Sequence, residues 1–324
     1  MTAQSNPHTS KVRHLTADPG SRNVGPGRSV AALSTGGARR DSGVSFNLGG
    51  RQPHCQAAHR CVDHARCPVG ARTSRVRLGT AIFLAALRHP VLLAYQLASL
   101  DWMTGGRIDL GVGFGRRGEA SQEHEFKILG LDPAARMKMS EEAVHIMRRL
   151  WRENDVAYDG AFTRFEQVTI EPKPAQPGGV PIWMAANDVE AGLRRVGRLG
   201  DAWMNNIKDP ETYRICWAKI RGYAAEAGRN PDGIQPGAYF TIAAGDKDAI
   251  VEGERFLAEY YNRSYEAIVK AALCITGSWE EVLDRLAGFI NAGARTIVLR
   301  FAARDQLAHL EKCAEALDRR GLLS

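Results

Sequence analysis

The stretch of residues 76–118 constrains the fold most, because two strand patterns in it flank one helix pattern. A short β-rich apolar run ends before Pro90, and proline suits the first turn of a helix. Apolar residues then recur at helical spacing, two glycines stop the helix, and a second apolar strand covers residues 107–112. Two strands joined by such a helix form a parallel βαβ unit, whose ligands bind beyond the carboxyl ends of the strands. The pattern therefore predicts one functional rim built from residues 80–83 and 113–119.

The sequence RVRLGTAIFLAALRHPVLLAYQLASLDWMTGGRIDLGVGFG, which spans this unit, resembles that of the bacterial luciferase-like family. Further motifs extend the likeness over residues 72–324, among them EFKILG from Glu125, the WMAAND turn and GDAW from Gly200. The resemblance implies an α/β fold, the TIM (β/α)8 barrel of the luciferase-like type. It also implies an oxidoreductase that uses reduced flavin (FMN) or the deazaflavin F420.

Six strand patterns follow residue 75, whereas a closed barrel of this type has eight strands. The six patterns occupy residues 76–82, 107–113, 180–185, 201–204, 237–244 and 295–301. The resemblance places the first of them third in the barrel, so two βα units should precede it. We therefore expect the first two βα units to be missing or replaced by a disordered N-terminal segment, and residues 72–324 to form the barrel domain.

Residues 1–71, the leader, differ from the rest of the chain in composition. They contain no Glu, Ile, Trp or Tyr, and no period in them is long enough to build a core. We hypothesise that the leader is disordered, or is translated out of frame over DNA that once encoded two βα units. The alternatives are a genuine tail on a shortened domain and a transit peptide. The Arg39-Arg40 pair lacks the apolar segment that an export signal needs.

The basic charge of the chain belongs to this leader. The formal net charge is +7, but residues 1–75 hold 11 Lys and Arg against 3 Asp, whereas the remainder holds 32 basic against 33 acidic residues. The leader lacks interleaved aromatic residues and any known nucleic-acid module, so we expect no nucleic-acid partner. No run of 18 apolar residues occurs, so no membrane span is predicted.

The cysteines favour reduced thiols in the cytoplasm over a metal site. Cys216, Cys274 and Cys313 are sparse and unpaired in sequence, as in cytoplasmic proteins. Three further cysteines and two histidines lie within residues 55–67, in the spacing C-x3-H-x-C-x2-H-x2-C. That spacing differs from the paired C-x2-C units of compact zinc sites, so we expect no metal.

The glycines after the second strand match the G-x-G-x-x-G pattern of dinucleotide-binding loops, with Gly113, Gly115 and Gly118. Such a loop requires an immediate helix and then a strand that carries an acidic residue. The residues that follow are polar, and the next strongly apolar segment is a helix pattern at residues 141–151, so we reject this interpretation. In a barrel loop, glycines would let the backbone approach a flat ring closely, whereas Gly118 is equally typical of a turn without a ligand.

A second candidate site follows the strand that ends at Ala185. Asn187 or Asp188 is the expected N-cap of the next helix, and the N–H groups at a helix start bind anions. The residues alone favour an ordinary capped helix. In the luciferase-like family this turn binds the cofactor phosphate and usually has two glycines at the positions of Ala185 and Ala186, so the resemblance implies a phosphate site at Ala185, Ala186 and Asn187. The Asp188 carboxylate would compete with that phosphate.

The resemblance places the cofactor ring against Thr80, Ala81 and Ile82, with a non-proline cis peptide bond between the last two, and against Gly113 and Gly115. The resemblance implies that acid and base groups lie largely on the first two strands, for which we find no pattern in this sequence. The catalytic residues therefore stay unassigned, and His145 and His309 are expected on helix surfaces.

The expected reaction is luciferase-like, flavin-dependent monooxygenation on paired donors, with incorporation or reduction of molecular oxygen. The alternatives are F420-dependent hydride transfer and an inactive truncated relic of the family. The resemblance implies a small organic substrate and is compatible with a separate flavin reductase and a homodimer.

Overall fold

The computed structural model describes residues 30–34, 45–47, 73–115, 118, 120–271 and 274–321. The strands are β1 (Val30–Ser34), β2 (Ser45–Asn47), β3 (Leu78–Gly79), β4 (Phe83–Leu84), β5 (Ile108–Gly113), β6 (Val156–Asp159), β7 (Arg164–Val168), β8 (Ile182–Ala185), β9 (Ala202–Met204), β10 (Gln235–Ala244), β11 (Cys274–Gly277) and β12 (Thr296–Phe301). The helices are α1 (Pro90–Met103), α2 (Ala120–Ile128), α3 (Arg136–Arg152), α4 (Glu190–Leu199), α5 (Pro210–Glu226), α6 (Lys247–Tyr261), α7 (Tyr265–Ala271), α8 (Trp279–Asn291) and α9 (Gln306–Arg319).

A curved parallel sheet runs from β3 to β12. β3 and β4 pair with β5, β5 with β8, β8 with β9, β9 with β10, and β10 with β12, all in parallel. The six strands that the sequence predicts are therefore confirmed. The sequence analysis missed β11, which pairs with the carboxyl-terminal part of β10.

Two short strands from the leader lie between β12 and β3 and complete the ring of strands. β1 runs antiparallel to both β12 and β2, whereas β2 runs parallel to β3. The strands of a (β/α)8 barrel are all parallel, so β1 departs from that pattern. Most of the leader, including Arg39-Arg40 and the Cys and His residues at positions 55–67, lies outside the described residues. Our hypothesis on the origin of the leader stays a prediction.

Two apolar cores lie on the two faces of the sheet, because successive side chains of a strand point to opposite faces. On β12, Ile297, Leu299 and Phe301 pack in the large core shared with the surrounding helices. Val298 points the other way and joins a small cluster inside the ring of strands, here called the inner cluster, whose buried members are Trp183, Ala202, Met204 and Val298.

Two insertions follow strands of the ring. Before β8, the strands β6 and β7 form an antiparallel hairpin. α6 lies near the carboxyl ends of β10 and β12, where a Cβ on its Gly253 would lie 2.6 Å from Cβ of Ala243 and 2.8 Å from the carbonyl oxygen of Ala302. A salt bridge of 2.6 Å between Glu259 and Arg304 also joins α6 to the chain beyond β12.

Two sequence interpretations are wrong at the level of local structure. The polar stretch after Gly118 forms α2, where no helix was expected. His145 is exposed as predicted, but His309 is buried, with Nδ1 3.1 Å from the carbonyl oxygen of Asp305. A single polar residue in an amphipathic helix gives no indication that the core extends over it.

Candidate functional site

The predicted site residues lie at the carboxyl ends of three neighbouring strands. They are Thr80, Ala81 and Ile82 between β3 and β4, Gly113 and Gly115 at and after the end of β5, and Ala185, Ala186 and Asn187 at and after the end of β8. β5 pairs with β4 on one side and with β8 on the other. The fold therefore brings the candidates together along one edge of the sheet.

The chain between β3 and β4 contains a β-bulge. The pairing register sets three residues, Thr80 to Ile82, opposite two residues of β5. A bulge re-aims side chains and is common next to active sites. The peptide bond between Ala81 and Ile82 is cis, which confirms the expectation from the sequence.

Thr80 ties this bulge to β5. Its Oγ1 donates a hydrogen bond to the carbonyl of Gly111 at 2.9 Å and accepts one from the N–H of Gly111 at 2.8 Å. A Cβ on Gly111 would lie 1.9 Å from the carbonyl oxygen of Thr80, so only glycine allows this approach. Thr80 therefore fixes the backbone immediately before Ala81.

Ile82 rests on Gly113 at the end of β5. A Cβ on Gly113 would lie 1.7 Å from Cδ1 of Ile82, so the isoleucine side chain occupies the space that glycine leaves open. Ile82 is nevertheless 42% exposed. The result is an apolar surface, held from below by backbone, at the carboxyl edge of the sheet.

Two arginines flank the glycines after β5. The Arg195 guanidinium lies 4.6 Å from the ring centroid of Phe114 and forms a salt bridge of 2.6 Å with Glu141. The Nε of Arg136 is buried and has no hydrogen-bond partner among the described residues. Gly115 has a positive φ of 73°, and a Cβ there would lie 3.6 Å from Cδ of Arg136.

The turn after β8 is bound to β9. The N–H of Ala186 donates to the carbonyl of Met204 at 3.0 Å, and the carbonyl of Ala186 accepts from Nε1 of Trp203 at 2.7 Å. The Asn187 side-chain oxygen accepts from the N–H of Asn206 at 3.2 Å. Ala186 therefore shapes the turn, and its N–H is not available to an anion.

The expectation that Asn187 or Asp188 caps the following helix is wrong. α4 begins at Glu190, and its N-cap is Val189, whose side chain makes no capping bond. The physical reason is that the Asn187 oxygen is already bonded to the chain after β9. Glu190 and Ala191, the first two residues of α4, have N–H groups without an acceptor within the helix.

Acidic side chains surround the start of α4. The Glu190 carboxylate forms a salt bridge of 2.8 Å with Lys219. The pKa of the Cys216 thiol is raised chiefly by burial, and the carboxylates of Asp188 and Glu190 raise it further. Lys219 offsets one of the two negative charges near the first turn.

Two residues inside the ring of strands were missed by the sequence analysis. Tyr239 packs on the inner cluster together with Ala81, and burial raises the pKa of Tyr239 to about 12. Arg300 lies on β12, and the Nη1 atom donates to the Tyr261 hydroxyl at 2.8 Å. A charged residue inside the otherwise apolar run TIVLRF was the signal that could have identified Arg300.

A model of the luciferase-like monooxygenase family matches residues 67–296. This chain belongs to that family. The fold agrees, because a luciferase-like barrel carries its site at the carboxyl edge where the candidate residues lie.

Relatives of this luciferase-like protein carry the names of two cofactor classes. This chain is 34% identical over 269 residues to an F420-dependent glucose-6-phosphate dehydrogenase of Nocardia farcinica. The aligned region covers 75% of this chain and 78% of that relative. This chain is also 35% identical over 117 residues to the oxygenase component of a flavin-dependent trigonelline monooxygenase of Acinetobacter baylyi. The aligned region covers 36% of this chain and 31% of that relative. An uncharacterised protein of Mycobacterium tuberculosis is 35% identical over 139 residues. The aligned region covers 43% of this chain and 47% of that protein, so the chain spans only about half of that relative's length.

Solved structures show the same fold at low sequence identity. An F420-dependent secondary alcohol dehydrogenase in complex with an F420-acetone adduct superposes with a TM-score of 0.65 at 21% identity, covering 79% of this chain and 82% of that chain. The monooxygenase RslO1 from Streptomyces bottropensis superposes with a TM-score of 0.62 at 24% identity, covering 78% and 80%. The luciferase-like barrel predicted from the sequence is thus confirmed.

Other kinds of site find little support in the part of the chain that the structure describes. No group of three or more His, Cys, Asp or Glu side chains there could hold a metal ion. No helix among the described residues is long and apolar enough to cross a membrane. A cavity of 310 Å³ lies between the starts of α6 and α8 and the face of α9, and none of the predicted site residues lines it.

Proposed function

We propose that this luciferase-like protein is an oxidoreductase that binds reduced FMN or F420 at the carboxyl edge of β3, β5 and β8. The contact between Ile82 and Gly113 is the main support for this proposal. It holds an exposed apolar side chain against the backbone at a place where a flat ring can lie. When bound, the cofactor supplies the electron-transfer chemistry. The protein contributes the position of the ring and the exclusion of water from it.

The residues present fit a ring of this kind. Ile82 would contact one face of the ring, and Gly113 allows this position because its missing side chain leaves room for the isoleucine. Gly115, with its positive φ of 73°, would shape the loop beside the ring. Thr80 would hold the bulge below the ring through its two hydrogen bonds to Gly111. The buried Nε of Arg136, which has no partner among the described residues, would donate a hydrogen bond to a cofactor oxygen beside Gly115.

A phosphate group fits less fully. The N–H groups of the first turn of α4 and the side chain of Asn187 would hold it, whereas Ala185 and Ala186 would only shape the turn. The Asp188 carboxylate opposes a phosphate there, and Lys219 offsets only Glu190. We therefore expect modest cofactor affinity compared with a turn that has two glycines and no acid.

Two reactions are candidates on this scaffold. Flavin-dependent monooxygenation of a small organic substrate, with reduced flavin delivered by a separate reductase, is supported by the likeness to the Acinetobacter oxygenase component. F420-dependent hydride transfer is supported by the longer match to the Nocardia dehydrogenase. In both reactions the ring would lie at the same proposed edge of the barrel.

Cofactor titration separates the two candidates. Purified full-length protein would be titrated with FMN and with F420, each oxidised and reduced, with cofactor fluorescence as the readout of binding. Saturable binding of FMN alone supports the monooxygenase, and binding of F420 alone supports hydride transfer. If neither cofactor binds, the proposed function fails and an inactive relic is the better reading.

The relic alternative is linked to the leader. We propose that residues 1–71 replace two βα units through a shifted frame, which would remove family acid and base groups. Sequencing the DNA of codons 1–80 and translating all frames tests this. A frame with two apolar strands and two helices that joins the present frame near residue 75 supports the hypothesis, and its absence overturns it.

A further inference from the structure

Arg300 points into the barrel. Its neighbours Leu299 and Phe301 pack in the outer core, so the alternation of the strand turns Arg300 toward the inside, two residues beyond Val298 of the inner cluster. The register between β10 and β12 sets Arg300 beside Thr241. Arg300 therefore lies above the inner cluster, near the carboxyl end of its strand.

The guanidinium group of Arg300 is surrounded by tyrosines. Nη1 donates to the Tyr261 hydroxyl at 2.8 Å, and the guanidinium carbon lies 5.1 Å from the ring centroid of Tyr260 and 5.2 Å from that of Tyr261. Both tyrosines belong to α6. Tyr239 interacts with Arg300 from β10, and burial keeps the Tyr239 hydroxyl protonated, with a pKa of about 12.

Arg300 has no carboxylate partner among the described residues. Arg304, only four residues further along the chain, pairs with the Glu259 carboxylate at 2.6 Å. The Nε of Arg300 is shielded from solvent and makes no hydrogen bond. A shielded cation without a counter-charge is unfavourable, and aromatic rings and neutral hydroxyls offset that only in part.

We propose that Arg300, framed by Tyr239, Tyr260 and Tyr261, binds an oxyanion of the organic substrate, either a carboxylate or a phosphate. The free Nε and the remaining guanidinium N–H groups form a fork that suits two oxygens of such a group. This inference rests on the proposed function, since it assigns the substrate to the β10 and β12 side of the barrel. The proposed cofactor residues lie at the ends of β3, β5 and β8, whereas Arg300 lies on β12. The cofactor and the substrate would therefore bind in the same barrel interior but contact different strands.

Equilibrium dialysis with radiolabelled benzoate and inorganic phosphate, at constant ionic strength, measures this binding without cofactor or turnover. We expect saturable binding of at least one probe by the full chain, weakened at least about tenfold in R300M. R300K keeps the charge but loses the planar fork, so it should restore binding only in part. The matched control is R304M, which removes an exposed arginine just beyond the same strand and should bind as the unmodified protein does.

The outcomes separate the possibilities. Preference for benzoate identifies a carboxylate substrate, and preference for phosphate a phosphorylated one. Equal binding by R300M and the unmodified protein, or no saturable binding by the latter, overturns the proposal. If R300M weakens FMN or F420 binding but not probe binding, Arg300 belongs to the cofactor site and the proposal is also overturned. If R300M does not fold, R300K gives the comparison and should bind the probe more weakly than the unmodified protein. Y261F is then the control and should retain probe binding, because the guanidinium is intact.

Discussion

Cδ1 of Ile82 lies 1.7 Å from the position that a Cβ atom on Gly113 would occupy. Ile82 lies in the bulge between β3 and β4, Gly113 ends the neighbouring strand β5, and the two residues are 31 positions apart in the chain. Their contact turns an exposed apolar side chain into a fixed surface at the mouth of the barrel. The cofactor proposal depends on this contact more than on any single hydrogen bond.

The substitution Gly113→Ala should weaken cofactor binding by displacing Ile82. The added Cβ cannot share space with Cδ1 of Ile82. Overpacking of this kind typically lowers the free energy of unfolding by about 1–3 kcal/mol. We expect the dissociation constant of the bound cofactor, measured by fluorescence titration, to rise about tenfold. Gly222→Ala is the control, because a Cβ there meets nothing within 4 Å. Unchanged cofactor affinity in G113A would remove Ile82 from the ring site.

The substitution Thr80→Val should destabilise the bulge. Valine has the shape of threonine but leaves both backbone groups of Gly111 without the Oγ1 partner that they have at 2.9 and 2.8 Å. Leaving such groups unpaired lowers the free energy of unfolding by about 1–3 kcal/mol. Urea unfolding measures the change. Thr163→Val is the comparison, since the Thr163 hydroxyl has no hydrogen bond to another described residue, and an equal loss in both variants would contradict the assignment.

The Cys313 thiol should make the protein less stable in alkali. Burial alone raises the pKa of Cys313 from 9.0 to about 12. The thiol loses its proton at a lower pH in the unfolded chain than in the folded protein. The contribution of Cys313 to the free energy of unfolding is therefore complete below pH 9. It decreases by about 1.4 kcal/mol per pH unit as the pH rises from about 9 toward about 12. The stability difference between the unmodified protein and C313A should therefore shrink by about 1.4 kcal/mol between pH 8 and pH 10.

Urea unfolding at both pH values tests this linkage. Leu317→Ala removes buried volume from the same helix without removing a titrating group, so its effect on stability should not change with pH. A constant difference for C313A over the same range would show that Cys313 ionises in the folded state as it does in the unfolded chain.

The substitution Ala32→Pro tests whether β1 belongs to the native sheet. Ala32 lies opposite Val298 of β12 and Ser45 of β2, and proline in a strand flanked on both sides breaks a ladder hydrogen bond. On the hypothesis that the leader is foreign to the barrel, we expect A32P to unfold at the same urea concentration as the unmodified protein. V298P, on the facing strand, should be strongly destabilised in either case. Destabilisation of both variants would show that the leader strands are native.

The order of strands and helices could be predicted because local periodicity encodes it. The helix that starts at Pro90 and the six ring strands each follow from patterns within a few residues. The family motifs also located the cis bond at Ala81 and the rim around Gly113. β11 escaped because four residues, Cys274–Gly277, show too little alternation to stand out from the helices around them.

The sequence by itself thus determined the βαβ unit and its rim, because these depend on short-range patterns of apolar, glycine and proline residues, and its motifs resembled those of one family with a barrel fold. Only the tertiary structure decided that the N–H of Ala186 is bonded to Met204, and that Ile82 fills the space above Gly113. It also set Arg300 among three tyrosines without a carboxylate partner in the described chain. Each of these contacts joins residues that are distant in sequence, and only the closure of strands around a common interior brings them within bonding distance.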